Sequence, residues 1–428
     1  MSENPNQPRE YDAVLGGQNP PINAAVLGGI AGVKKRFASS IVEVRINALY
    51  DALKYGEKGL DLLLQALQDE SIEVKNSAYF LLNTSPVLEL RINALYDAIK
   101  YGDQGLDLVL PALQDKSIEV QFAAYSLLKD RQEPKVKQQL DNGLPFFEFE
   151  VVTVDVFGKI NSRRRHYARY FTEDLGNGVG LEMVAIPGGT FQMGEPDKYN
   201  WEKPVHQVTI KPFFMSKYPI TQEQWQAVMG DNPSDLKSVK LPVHNVSWRD
   251  AKEFCAKLSQ KTRKNYGLPS EAEWEYACRA GTTTPFYFGE AITPDLVNYY
   301  GYKPYVSPPK GLFRHATQVG SFPPNSFGLY DMHGNFWEWC QDVWHDNYNG
   351  APCNGSSWET GGVDDRVQRG GSWIGGYPSV GAIACRSANR SRKSLGDRDG
   401  NHGFRVAVTL PYLWQSFVTK VGTAYHFS

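Results

Sequence analysis

Five cysteines are the side chains in this sequence with the greatest capacity for chemistry, because a thiolate can attack a carbonyl, form a disulfide or bind a soft metal ion. They are Cys255, Cys278, Cys340, Cys353 and Cys385. Their number is odd, they lie far apart, and no two form a CxxC pair. This pattern favours reduced thiols in a cytoplasm over a disulfide framework, and it gives almost no support to a zinc site.

One group has the residue types of a nucleophilic catalyst: the thiol of Cys340, the imidazole of His345 and the carboxylate of Asp346. Their spacing alone is weak evidence for a catalytic set. A buried cysteine beside surface polar residues explains it more simply. We therefore assign no catalytic residue from this group.

Composition sets the next limits, since 41% of the 428 residues are hydrophobic and 13% are aromatic, enough for more than one packed core. The formal net charge of -2 gives no overall field that would favour nucleic acid or anionic lipid. The start of the sequence lacks a basic stretch followed by an apolar run, and no window approaches the roughly 18 apolar residues of a membrane span. We therefore predict a cytoplasmic protein that binds neither nucleic acid nor membrane.

An internal repeat organises the first third of the chain. "RINALYDALKYGEKGLDLLLQALQDESIEV" at Arg45 returns as "RINALYDAIKYGDQGLDLVLPALQDKSIEV" at Arg91, 46 positions later. Its apolar positions have helical spacing, and such short amphipathic helices bury their apolar faces only by stacking.

The "SIEVKNSAYFLL" and "SIEVQFAAYSLL" stretches resemble the second helix of HEAT-like repeats, of the kind found in phycobilin-lyase-like proteins. We predict an all-α HEAT-like solenoid over residues 36–131, after an N-terminal extension of 1–35 and before a linker of 132–145. Two roles for it stay open: a helical spacer or oligomerisation element, and a docking surface for a second protein.

After this linker the sequence becomes loop-rich, with many Gly, Pro, Trp and Tyr residues. Alternating β-branched and aromatic residues in "FFEFEVVTVDVFGKI" predict a strand. The basic, aromatic stretch "SRRRHYARYF" could contact RNA, but a solvated strand edge or loop is favoured. Helices are predicted at 221–229, where Thr221 can cap, at 247–262, and at 270–280, where Ser270 and Glu273 have capping-box spacing.

From about residue 146 to 410 the chain resembles the formylglycine-generating-enzyme, or sulfatase-modifying-factor, domain. The resemblance rests on "MVAIPGGTFQMG", "PVHNVSWRDAKEFCAKLS", "GLPSEAEWEYACRAG", "NSFGLYDMHGNFWEWCQD", "RGGSW" and "GFRV". It implies a loop-rich α+β domain with a variant of the C-type lectin fold, followed by a tail of 411–428. The fold class predicted is thus multidomain.

The resemblance also bears on activity, because enzymes of this family oxidise a cysteine by copper-dependent chemistry that uses two cysteines shortly after the Arg-Gly-Gly-Ser block. At those positions this sequence has Gly375 and Val380. Soft thiolates select Cu(I), so neither copper nor the family's chemistry is expected here. An enzyme of unrecognised activity remains an alternative.

A structural calcium ion is the one cofactor that the resemblance suggests. In the resembling enzymes the turn equivalent to "GNFWEW" holds calcium, and Asn335 and Glu338 match its side-chain ligands. A second site is doubtful: Asn298 matches one ligand, but no carboxylate lies near Gly311, where the acidic ligand is expected.

The stretch between "RGGSW" and "GFRV" resembles the variable segment of the variable proteins of diversity-generating retroelements, which is rewritten at adenine-containing codons. "CRSANR" at Cys385, often found in such segments, is intact. We predict that residues 369–405 present a diversifiable surface that binds a protein ligand noncovalently; a binding module of fixed specificity is the alternative. The predicted ligand-binding residues are Ile374, Gly376, Tyr377, Ser379, Val380, Ser391, Arg392, Ser394, Leu395, Asp397, Arg398, Asp399 and His402.

Arginine and tyrosine dominate interface hot spots. Tyr377, Arg390, Arg392 and Arg398 are therefore the expected energetic anchors where they are exposed. Arg386 and Asn389 are expected to support the surface from beneath.

Overall fold

The computed structural model describes residues 29–55, 57–67, 69–83, 88–99, 105–106, 109–140, 144–300, 315–361, 363–374 and 381–409. The chain divides into two compact units, one covering the chain up to Gly143 and the other covering Leu144–Leu410. The first unit is helical and the second is rich in strands. Most of the predicted N-terminal extension and all of the predicted tail lie outside the described residues.

Short helices build the first unit. They are α1 (Gly29–Phe37), α2 (Val42–Ala52), α3 (Glu57–Ala66), α4 (Ile72–Asn83), α5 (Leu88–Ala98), α6 (Ile118–Leu128) and α7 (Pro134–Leu140). Helices α2 and α5 contain the two copies of "RINALYDA", and α4 and α6 contain the two "IEV" stretches. Among the described residues, no helix has the length and apolar character needed to cross a bilayer.

The two copies of the repeat also share an ion pair between a buried arginine and a half-buried aspartate. Arg45 Nη2 lies 3.0 Å from Asp69 Oδ1, and Arg91 pairs with Asp115 at the equivalent positions. Each aspartate also accepts a hydrogen bond from the backbone N–H two residues later. The repeat in sequence is therefore a repeat in structure, whereas the HEAT-like arrangement stays a prediction.

Three sheets build the second unit. Their strands are β1 (Phe146–Val154), β2 (Ile160–Asp174), β3 (Gly180–Ile186), β4 (Gly189–Met193), β5 (His206–Ile210), β6 (Phe213–Ser216), β7 (Tyr266–Gly267), β8 (Trp337–Trp344), β9 (Val363–Arg369), β10 (Ser391–Ser394), β11 (His402–Gly403) and β12 (Ala407–Thr409). The sheet orders are β1-β2-β3-β6-β12-β7, β10-β9-β8-β11 and β4-β5. Strand β1 confirms the strand predicted from "FFEFEVVTVDVFGKI" over its first nine residues, and a turn before Ile160 ends it. Strand β10 lies at one edge of the second sheet.

Three helices of the second unit begin where the sequence predicts. Helices α8 (Gln222–Met229), α9 (Trp248–Thr262) and α10 (Glu271–Arg279) follow Thr221, Ser247 and Ser270. Each of these residues forms a capping box, which satisfies two backbone N–H groups that the helix itself cannot pair. These predictions are confirmed, and α9 and α10 border the segment described next.

Candidate functional site

The segment from Arg369 to Arg405 is fixed to the rest of the second unit by four buried arginines. Each forms an ion pair with a glutamate that lies outside the segment, and all eight side chains are less than 5% exposed. We call this set the ion-pair frame. Its pairs are Arg369–Glu275, Arg386–Glu202, Arg390–Glu271 and Arg405–Glu338.

The geometry of these pairs is directional. Arg386 Nη1 and Nη2 donate to Glu202 Oε2 and Oε1 at 3.0 and 2.6 Å, and Arg405 Nε and Nη2 donate to Glu338 at 2.7 and 2.8 Å. Such two-point bonds between guanidinium and carboxylate fix orientation as well as distance. Asn389 adds a bond from its amide to Glu202 at 3.3 Å. Arg386 and Asn389 thus lie in the interior.

Helix α10 supplies two of the four carboxylates. Glu271 and Glu275 are four residues apart, so both project from one face of the helix. Glu202 comes from a short 3₁₀ turn, Asn200–Glu202, and Glu338 comes from strand β8. Glu202, Glu271 and Glu275 were missed in the sequence, because nothing local distinguishes a glutamate that will meet a distant arginine.

The same arginines satisfy the backbone of an irregular chain. Arg369 donates to the carbonyl oxygens of Ser387, Ala388 and Asn389 at 3.0, 3.0 and 2.8 Å. Buried carbonyl groups without a partner cost free energy, and a helix or strand normally pairs them. Here the guanidinium group replaces that pairing, which allows a loop to be buried.

The residues that follow the buried stretch are different. From 391 to 400, strand β10 and the turn after it, the chain is half-buried or exposed throughout. Five of the predicted ligand-binding residues are exposed: Ile374, Arg392, Ser394, Asp397 and Arg398. Three are half-buried: Ser391, Leu395 and Asp399. We call the stretch from 391 to 400, without Ile374, the 391–400 segment.

The 391–400 segment is attached to the start of helix α9. Arg398 donates to both carboxylate oxygens of Asp250 at 2.7 Å, and the same carboxylate accepts the N–H of Ser247 in the capping box. The carbonyl oxygen of Asp399 accepts the N–H of Asn245 at 3.1 Å. The segment therefore has a defined course although its side chains face solvent.

One sequence prediction needs correction, because His402 is only 4% exposed and does not lie on the exposed face. Arg390, expected to be an anchor only where exposed, is 1% exposed and so does not meet that condition. Burial lowers the pKa of His402, whose ring lies 3.3 Å from Asp399, and the hydrogen bond from His402 contributes most to the lowered pKa of Asp399. Arg390 belongs to the ion-pair frame. The predicted residues Gly376, Tyr377, Ser379 and Val380 lie outside the described residues.

The catalytic set considered from the sequence, Cys340 with His345 and Asp346, does not form in the structure. Cys340 is fully buried, and burial raises the pKa of its thiol. The ring nitrogens of His345 lie 3.1 and 2.9 Å from the carbonyl oxygens of Val343 and Thr360. Asp346 accepts the indole N–H of Trp344. Each of these groups has a structural role.

A second cysteine and histidine do meet, in the core. Cys278 Sγ lies 3.8 Å from Nδ1 of His333, whose ring also contacts the carbonyl oxygen of Cys385 and the N–H of Tyr287. Burial raises the pKa of Cys278 to about 12 and lowers that of His333 to about 3. Both groups are neutral near pH 7, so this pair is not an activated thiolate.

The predicted calcium ligands have other partners. Both carboxylate oxygens of Glu338 bind Arg405, and Oε2 also accepts the indole N–H of Trp274 at 2.6 Å. Asn335 Oδ1 accepts the amide of Asn298 and the N–H of Thr317, both at 3.1 Å. A guanidinium group thus takes the place on Glu338 that a cation would need. The contacts of Glu338 therefore argue against its predicted role as a calcium ligand.

We therefore expect that calcium does not raise the thermal stability of the protein by binding to Asn335 and Glu338. A ligand that binds only the native state raises the melting temperature by mass action. The melting temperatures measured by scanning calorimetry in excess calcium and in excess EGTA should agree within about 1 °C. A melting temperature that rises with calcium in the parent protein, and no longer does so after Asn335→Ala, would contradict this reading of Glu338.

The second unit is therefore an α+β domain with long irregular segments that buried ion pairs hold in place. The chain belongs to the family described as the sulfatase-modifying factor enzyme 1-like domain, whose model matches residues 177–410.

Similar proteins differ in activity. The "Inactive C-alpha-formylglycine-generating enzyme 2" of Bos taurus is 29% identical over 291 residues, which is 55% of this chain and 90% of that protein. The "Formylglycine-generating enzyme" of Mus musculus is 27% identical over 287 residues, 53% and 75% of the two chains. A solved structure, "Treponema denticola variable protein 1", is 29% identical over 56% of this chain and 99% of that one, with a TM-score of 0.49. Membership of the family thus does not by itself assign an activity.

Proposed function

We propose that this protein binds a protein ligand noncovalently through Ile374 and the 391–400 segment, and that this surface tolerates many different side chains. One observation carries the proposal: every arginine of the ion-pair frame is fastened by a glutamate outside the segment. Apart from Arg398, which bonds to Asp250, the exposed side chains of the 391–400 segment are therefore spared from holding the fold together. Positions that do not pack can vary at little cost in stability.

A binding role without catalysis is supported by the chemistry of the residues. Gly375 and Val380 stand where the family's copper chemistry needs two thiols. Among the described residues, no group of three His, Cys, Asp or Glu side chains is arranged to hold a metal ion. The buried cysteines have raised pKa values, which opposes nucleophilic chemistry.

A diversifiable surface is supported by how the exposed residues are carried. Besides the bond of the Arg398 side chain to Asp250, the 391–400 segment is anchored through backbone bonds, such as that between Asn245 and Asp399, which do not depend on the side chains of the segment. The exposed residues mix arginine, aspartate and serine on a fixed support. Adaptable polar contacts on a rigid scaffold are typical of paratopes.

The test varies Arg392, Ser394, Leu395, Asp397 and Arg398 together in the full chain, displayed on yeast; we call these the five varied positions. Single exchanges among polar residues at the exposed positions should change the free energy of unfolding by no more than about 0.5 kcal/mol. Selection against an array of unrelated proteins should give clones with different specificities. Clones that unfold, or a folded library without any binder, would overturn the proposal.

For the first unit we propose a HEAT-like stack that presents a docking surface to a second protein. Its support is the pair of equivalent ion pairs, Arg45 with Asp69 and Arg91 with Asp115, in which both arginines are buried. Equivalent ties hold successive repeats in equivalent orientations, which is how solenoids build a continuous surface.

A further inference from the structure

A cleft of about 570 Å³ opens on the second unit between two short stretches of chain, 200–205 and 347–349, which we call its two walls. The first wall begins with the 3₁₀ turn that carries Glu202, and the second follows strand β8. Pockets of about 300 to 1,000 Å³ are the usual size for small ligands. Neither Ile374 nor the 391–400 segment lines this cleft, so it is a separate feature of the domain.

The two walls are tied together from within. Arg390, a member of the ion-pair frame, donates to the carbonyl oxygen of Trp201 at 2.6 Å and to that of His345, just before the second wall, at 3.1 Å. Tyr348 donates its N–H to the carbonyl oxygen of Lys203 at 2.6 Å. The cleft is therefore preformed, which lowers the free-energy cost of ordering it when a ligand binds.

The polar groups that line the cleft are three amides and one ammonium. They belong to Asn200, Asn347, Asn349 and Lys203, and the remaining lining is the apolar surface of Pro196, Pro204 and Val205. Asn347 Oδ1 accepts the N–H of Asn349 at 2.9 Å. Within the described part of the chain, the side chains of Asn200 and Lys203 bond to no other protein group. Both are therefore available to a ligand.

This lining favours one class of ligand. No carboxylate lines the cleft among the described residues, which argues against a hard metal cation. The N–H groups of Lys203, Tyr348 and Asn349 bond within the protein, so the walls do not offer the backbone nest that holds a phosphate or a chain-terminal carboxylate. One ammonium matches a single negative charge, and amides, which both donate and accept, match hydroxyl groups.

We propose that this cleft binds a sugar acid, that is, a small polyhydroxylated carboxylate. Lys203 binds its carboxylate, and the amides of Asn200 and Asn347 bind its hydroxyl groups. Hydrogen bonds between charged groups are about twice as strong as neutral ones, so Lys203 should contribute most to the affinity. The inference does not rest on the proposed function, because the 391–400 segment takes no part in the cleft.

Isothermal titration calorimetry of the full chain with glucuronate, galacturonate and gluconate tests the proposal. Glucose, which lacks the charge, and glutarate, which lacks the hydroxyl groups, are the comparison ligands. At least one sugar acid should bind about tenfold more tightly than either of them. Equal binding of glucose or glutarate, tighter binding of glucose 6-phosphate, or no binding of any sugar acid would overturn the proposal.

Two variants test the assigned side chains. Lys203→Gln should weaken binding of the sugar acid by at least about tenfold, through loss of the charge-assisted bond. Asn347→Asp keeps the shape of the side chain but adds a negative charge, and it should weaken binding to a similar degree.

Lys159→Gln is the matched control, because it removes an exposed lysine from the turn between β1 and β2, outside the cleft. The melting temperatures of all three variants are measured first and should agree with that of the parent protein. Affinities of Lys203→Gln and Asn347→Asp equal to that of the control would overturn the site.

Discussion

Glu202→Gln should lower the free energy of unfolding by about 3 to 5 kcal/mol, because it leaves the Arg386 guanidinium buried without a counter-charge. Both side chains are fully buried, and Glu202 accepts two bonds from Arg386. The amide keeps the shape of the carboxylate but loses the charge and one of the two acceptor oxygens that Arg386 uses. Thermal and urea unfolding measure the loss, which corresponds to a fall in melting temperature of roughly 10 °C for a unit of this size.

Two further variants distinguish the effect of losing this ion pair from the general effect of a mutation. Glu148→Gln removes an exposed carboxylate that pairs with Arg165 at 3.2 Å, and it should change stability by no more than about 1 kcal/mol. Combining Glu202→Leu with Arg386→Met should restore much of the loss, since apolar replacements of a buried pair are often tolerated. If the Glu202→Gln variant has the same melting temperature as the parent protein, the ion-pair frame does not hold the segment.

Phe404→Ala should cost about 3 to 5 kcal/mol, through lost transfer free energy and the cavity that remains. Phe404 is fully buried and contacts the rings of Trp225 and Phe254 edge to face, with centroids 6.0 and 5.3 Å away. Because those two rings belong to helices α8 and α9, the change should loosen both helices from the sheet. Urea unfolding of the full chain measures it.

Phe157→Ala is the matched control, because that phenylalanine is 77% exposed and should change stability by no more than about 0.5 kcal/mol. Trp373 is half-buried, so Trp373→Ala should cost less stability than Phe404→Ala. A Phe404→Ala variant as stable as the control would show that the "GFRV" stretch does not close the core.

Local signals explain which elements could be predicted. Ser270 and Glu273 are three residues apart, and their capping box forms within one helical turn. The alternation in β1 likewise needs only its own sequence, because one face of the strand is buried. Predictions of this kind depend on neighbours in the chain, so the sequence contains the whole of the evidence for them.

The partners of the buried arginines could not be predicted in the same way. Glu202 and Arg386 are 184 residues apart, and any of many carboxylates could have been the partner. His402 failed for a related reason. The composition of the stretch around His402 fits an exposed loop. However, strand β11 pairs in parallel with β8, which places His402 opposite Trp337 and buries it. Burial of a polar residue is decided by packing between distant elements.

The bond between Arg398 and Asp250 makes the 391–400 segment sensitive to ionic strength, while the ion-pair frame is not. Arg398 is 62% exposed, and at about 1 M salt the screening length falls to about 3 Å, close to the length of the bond itself. The buried pairs are shielded from mobile ions. Salt should therefore loosen the turn without loosening its support, so that affinities measured in dilute buffer describe a more ordered surface than those measured in concentrated electrolyte.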